Sequence, residues 1–181
     1  VDVSTKTPDL DLSELESGMP ALTPAMGAVL KEAASVCLSD NGHTAPVTLH
    51  QKRSSEALLL QWSPATDVMN RTYNDMPRTT ELGACGIAIL VVRKESGLTV
   101  VEQSRKGTGF DYWLGADDDE SLPFAKKARL EVSGMLKGSN SQFDNRVRQK
   151  LVQTEVSDYT RLEAYAVVVE FGKPIVEVSR R

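Results

Sequence analysis

A chain of 181 residues, 40% hydrophobic and 25% charged, has a globular composition and enough length to bury a substantial core. Its longest apolar block, Ile87 to Val92, falls far short of the roughly 18 residues of a membrane span, so no membrane partner is expected. The formal charge of −4 gives no global electrostatic reason to expect nucleic acid. That balance hides a local asymmetry: residues 126–150 hold seven basic side chains against two acidic ones, a net of +5. The acidic run Asp117-Asp118-Asp119-Glu120 lies just upstream. The plain reading of both clusters is solvated surface.

Residues 1–20 are polar and weakly patterned, and read as an extended N-terminal arm. They carry acids where the apolar centre of a signal peptide would lie, so the cytoplasm is the expected compartment. Residues 21–181 read as a single α/β domain. Thr23-Pro24 is a helix start, a capping hydroxyl followed by proline at the first position. Met26, Val29, Leu30, Ala33 and Cys37 then recur at helical spacing until Asp40-Asn41-Gly42. The runs "PVTLHQ" and "ALLLQW" read as a hairpin, and "SPATDVMNRTYNDMP" as a connector with a helical turn.

"TTELGACGIAILVVRKESG" is ambiguous between a buried strand and a helix, and its length and its Thr79-Thr80-Glu81 opening favour the helix. Glu81 then falls on the apolar arc and faces the sheet, while Gly83, Gly86 and Leu90 lie opposite. Strand signals return in "LTVVEQS", "GFDYWL" and "KKARLEVSGML". "SNSQFDNRVRQKLVQTE" is a helix with a Phe143, Val147, Leu151 stripe. "LEAYAVVVEF" is a strand buried on both faces, and "KPIVEVSRR" a last edge strand open to pairing with a second chain, which makes a homodimer a further expectation. The whole is a mixed β-sheet flanked by helices, with its core at 79–181 and an N-terminal helix and hairpin added to it. Cys37 and Cys85 sit in separate helical patterns and read as small buried hydrophobes, and two histidines do not make a zinc site.

The order αβββαβ from residue 79, with Asp111 in "GFDYW" on the second strand and Glu131 in "LEVSG" on the third, resembles the PD-(D/E)XK nuclease superfamily and its restriction-endonuclease-like core. The resemblance implies Mg²⁺ held by Asp111 and Glu131, with Glu81 as an accessory acid from the first helix. It also implies phosphodiester hydrolysis on DNA. Two carboxylates on adjacent strands can converge on one hard cation, which activates water and neutralises developing phosphate charge. The family places a lysine two residues after the glutamate. Here that residue is Ser133, which is neutral. Lys150 or Arg146 on the following helix, or Arg129 on the same strand face, are the candidate replacements, with Lys150 preferred. Arg146, Arg148, Lys150 and Lys127 form the expected phosphate-facing surface.

Other readings of the same residues stand beside this one. Asp111 can be a strand-end acid bonded to backbone N–H groups of the "GTG" turn. Glu131 can be half of a structural ion pair with Arg129 or with an arginine of the next helix. Arg146, Arg148 and Lys150 can be a wet helix face. The chain is then a catalytically inactive nuclease-fold subunit for binding or assembly, or an α/β protein with no nucleic-acid role.

Overall fold

The computed structural model describes residues 7–116 and 124–181, so the acidic run at 117–120 and the first six residues lie outside the described part. It contains an eight-stranded mixed sheet with helices on its faces. The strands are β1 (Leu10–Asp11), β2 (Val47–Gln51), β3 (Ala57–Gln61), β4 (Leu98–Gln103), β5 (Tyr112–Ala116), β6 (Ala128–Met135), β7 (Glu163–Glu170) and β8 (Ile175–Arg180). The helices are α1 (Pro24–Asp40), α2 (Asp67–Thr72), α3 (Met76–Ser96) and α4 (Asn140–Gln153), with 3-10 segments at Leu12–Ser17 and Thr154–Thr160. The sheet order is β1-β3-β2-β8-β7-β6-β5-β4. From α3 onward the chain runs helix, three antiparallel strands, helix, and then β7 parallel to β6.

The sheet separates two layers. On β6, Leu130 and Val132 enter the main core with α1 and α3, while Arg129, Glu131 and Ser133 face α4 and the 3-10 segment after it. On β7, Val167 and Val169 face the first layer, and Val168 packs with Phe143 and Val147 of α4. The period of two along each strand produces this division. It places the Glu131 carboxylate on the α4 side of the sheet, beside the Phe143, Val147, Val168 cluster.

Helix α3 starts earlier than the threonine pair suggests. Asp75 is its N-cap, accepting from the Arg78 N–H at 3.5 Å, and Pro77 sits in the first turn. Thr79 is buried and donates its hydroxyl to the Tyr73 carbonyl instead. Glu81 therefore lies in the second turn and is exposed, not buried against the sheet as expected. The helix is buried on two sides. The glycine side packs on α1, and a Cβ added at Gly83 would lie 2.8 Å from the Ala34 Cα. Gly83→Val is expected to lower the urea midpoint and remove about 1–3 kcal/mol of stability, because neither helix backbone can retreat without opening the core.

Two segments differ from the sequence reading. Residues 10–17 are not an extended arm: Leu10 pairs with Leu60 in the sheet, and Leu12 and Leu15 are fully buried under α1 and α3. Strand β8 is not an edge. The hairpin β2–β3 docks on it in parallel through His50↔Ile175 and Gln51↔Val176, so the strand expected to pair with a second chain is occupied within this one. No helix of the described residues is long and apolar enough to cross a membrane.

Candidate active site

Asp111 stands one residue before β5, between two strands: its N–H donates to the Leu130 carbonyl at 2.8 Å, and its carbonyl accepts from the Ser104 N–H at 2.7 Å. The "GTG" turn before it uses two positive φ angles, 92° at Gly107 and 80° at Gly109. Gly109 lies against α4, where a Cβ would come within 2.4 Å of the Gln153 carbonyl oxygen, so only glycine lets the turn tuck under the helix end. Asp111 is thereby brought to Glu131. Its Oδ2 accepts not from the turn but from the Val132 N–H at 2.8 Å.

Glu131 is 2% exposed, and α4 holds it from the other side. Lys150 Nζ lies 2.5 Å from Oε1, and Gln153 Nε2 donates to the same oxygen at 2.9 Å. Lys150 also donates to Gln153 Oε1 at 3.0 Å, so the three side chains brace one another. Oε2 is buried with no donor among the described residues. The Asp111 and Glu131 carboxyls lie within hydrogen-bonding reach of each other. Burial pushes Asp111 up from its ordinary value, against the Val132 N–H and the Lys150 charge. Burial and then the Asp111 charge push Glu131 up to about 7, against Lys150. A buried carboxylate oxygen without a donor calls for a proton or a cation.

The pair opens into a cleft of about 620 Å³, whose walls include Glu81, Cys85, Ser133, Arg146, Lys150 and Gln153. Arg78, Arg105 and Lys106 stand at its exposed rim. Ser133, at the position of the motif lysine, accepts a hydrogen bond from Arg146 Nη1 at 2.9 Å. Two cations of α4, one turn apart, thus reach the two β6 residues that flank Val132. Cys85 is free, and burial followed by the Asp111, Glu131 and Glu81 charges pushes its thiol well up, so it stays protonated.

Several expected residues stand elsewhere. Arg129 is not a cleft cation: it is buried beneath the 3-10 segment and bonded to Thr154, Ser157, Asp158 and Leu162. Arg148 is exposed and bonds Asn145, and Lys127 is exposed at the start of β6; neither lines the cleft. Glu81 lines the cleft but does not close on the pair. No group of three or more His, Cys, Asp or Glu among the described residues is placed to hold a metal ion. Glu102 pairs with Lys126 at 3.0 Å on the outer surface, and Lys126 also lies 4.5 Å over the Trp113 ring. Gln153, Cys85 and the rim cations Arg78, Arg105 and Lys106 were not visible as site residues in the sequence. Gln153 had one available signal, its spacing of three from Lys150 on the same helix.

No protein-family profile, curated protein or solved structure matches this chain.

Proposed function

We propose that this chain is a Mg²⁺-dependent phosphodiesterase of restriction-endonuclease-like fold that acts on DNA. One observation carries the reading: the buried Asp111–Glu131 pair, with Glu131 Oε2 lacking a donor, opens into a cleft whose remaining charged groups are mostly cationic. The helix, three antiparallel strands, helix and parallel strand that frame the pair support the same reading.

The donor set fits the ion. Two carboxylates suit a hard cation that keeps several waters of its own, and the unsatisfied oxygen supplies a reason for the ion to enter. When bound, it would lend Lewis acidity to a phosphodiester and to the attacking water. The chain's own residues do the rest. Val132 N–H fixes the Asp111 rotamer, and Lys150 with Gln153 fixes that of Glu131, so both acids are held before a ligand arrives. Lys150 also keeps positive charge beside the phosphoryl position, the electrostatic task that Ser133 cannot perform.

A second reading has its own support. Lys150 already neutralises Glu131 at 2.5 Å, as a structural ion pair in an inactive binding or assembly subunit would. Plasmid and oligonucleotide DNA incubated with Mg²⁺ or Mn²⁺ separate the two. Wild type is expected to cleave, and the Asp111→Ala, Glu131→Ala double variant to lose at least about 100-fold in rate. Salt-dependent retention of DNA without cleavage selects the inactive subunit. Neither cleavage nor retention removes both and leaves a protein with no nucleic-acid role.

A further inference from the structure

The carboxylate cleft does not end at α4. A second cleft of about 630 Å³ adjoins it, and Glu81 and Arg146 line both. One wall of the second cleft is a face of α4 carrying Gln142, Asn145 and Gln149, which share that face by their spacing of three and four. Across from it stand Met76 and Pro77 at the start of α3 and Met135 and Leu136 at the end of β6, with Thr80 and Lys137 beside them.

Arg146 stands at the junction. It is half-buried, and its one hydrogen bond among the described residues runs from Nη1 to Ser133. Among the described residues no carboxylate lies within ion-pair distance of it, although the other half-buried or buried lysines and arginines there, Lys31, Arg93, Arg129 and Lys150, each have one. Ser133 fixes the direction of the guanidinium and leaves its other donors unused. A planar fork so held is suited to a phosphate. The amides beside it are also available. Gln142 uses its Oε1 on the Ser139 N–H and Asn145 its Oδ1 on Arg148, which leaves both NH₂ groups. Gln149 has no partner among the described residues. Donors and an acceptor along one wall, facing methionine and leucine across the cleft, match the hydrogen-bonding edge and apolar faces of a nucleobase.

We propose that the second cleft is a nucleotide subsite. Arg146 binds the phosphate next to the one at Asp111 and Glu131, and Asn145 and Gln149 bond the edge of the attached base. This rests on the phosphodiester reading of the carboxylate cleft. It adds the direction of the strand, along α4 from Lys150 towards Gln142, and a base contact outside the reacting centre.

The test is fluorescence anisotropy of the full chain in EDTA with a labelled single-stranded DNA hexanucleotide, and with the same backbone carrying abasic residues. Arg146→Ala is expected to weaken the hexanucleotide at least about 10-fold. Asn145→Ala, Gln149→Ala is expected to weaken it several-fold while leaving the abasic strand unchanged. Thermal melts of each variant confirm that it is folded; all three positions are on the helix surface or half-exposed. Wild-type affinity in both variants overturns the subsite. An abasic strand that binds as tightly as the intact one overturns the base contact. Cleavage is measured alongside. Intact cleavage with unchanged affinity in both variants removes the subsite and leaves the hydrolytic reading standing. The predicted affinity losses without cleavage by any protein support the subsite and remove hydrolysis.

Discussion

Arg129→Ala is expected to lose about 3–5 kcal/mol of stability, a large share of what a domain of this size possesses. The guanidinium is almost wholly enclosed, and its donors are spent on the chain itself. Nε and Nη2 reach the Leu162 carbonyl at 3.1 and 2.6 Å. Nη1 reaches the Thr154 carbonyl at 3.0 Å and Ser157 Oγ at 2.7 Å. Nη2 also pairs with Asp158 at 3.4 Å. These bonds fasten the 3-10 segment Thr154–Thr160, whose Val156 and Tyr159 side chains point outwards and give it little apolar anchorage. Truncation strips the Leu162 carbonyl and Ser157 Oγ of their Arg129 donors and leaves the Thr154 carbonyl only the Ser157 hydroxyl. Arg129→Lys recovers little of the loss, because one ammonium cannot reproduce a planar fork spread over four residues. Urea unfolding measures both variants. An Arg129→Ala protein as stable as wild type would contradict the structural role assigned to this side chain.

In the absence of a divalent cation, the protein is expected to become less stable as pH rises from about 4.5 to about 7. The Glu131 carboxyl is ordinarily at 4.5 and is pushed up to about 7 in the fold by burial and by Asp111. The folded state thus keeps a proton that the unfolded chain releases earlier. Its stabilising contribution is complete below the unfolded value and is lost as pH passes the folded one. The interval corresponds to at most about 3 kcal/mol. Raised Asp111 acts in the same direction, since burial also pushes it up. Glu131→Gln removes the ionisation and can still accept from Lys150, so its melting temperature is expected to change little across this range and to exceed wild type at pH 8. Mg²⁺ added at pH 8 is expected to restore the wild-type protein, because a ligand that binds only the folded state stabilises it. Melting curves at pH 5 and pH 8, with and without Mg²⁺, give the four values needed. A wild-type curve that is flat, or that rises with pH, would contradict the burial of an unsatisfied acid pair.

The acids were legible because a carboxylate inside "GFDYWL" and another inside "ARLEVSG" conflict with apolar strands, and such conflicts mark sites. Lys150 was preferred in the sequence as a cation on the helix that follows Glu131, but Arg129, on the strand face of Glu131, stayed a rival. Only the placement of the 3-10 segment over the start of β6 consumes one and leaves the other in the cleft. Arg146 and Ser133 meet for a related reason: their contact depends on how α4 crosses β6. The long-range pairings were the least legible. "DLDLSELES" carries leucines in a polar background, and it is the sheet edge at Leu60 and the glycine face of α3 that bury them. "KPIVEVSRR" looks like an edge because nothing local announces that a hairpin more than 100 residues earlier docks on it. The helical start at Asp75 was masked by the better-looking threonines, which turn inwards.

If Asp111 and Glu131 together hold one divalent cation, isothermal titration of Mg²⁺ and Mn²⁺ into the full chain at pH 8 detects it without requiring turnover. The expected result is one saturable site per chain, weakened at least about 10-fold by either Asp111→Asn or Glu131→Gln, with both variants folded. Absence of a saturable site, or binding that both substitutions leave unchanged, would contradict it.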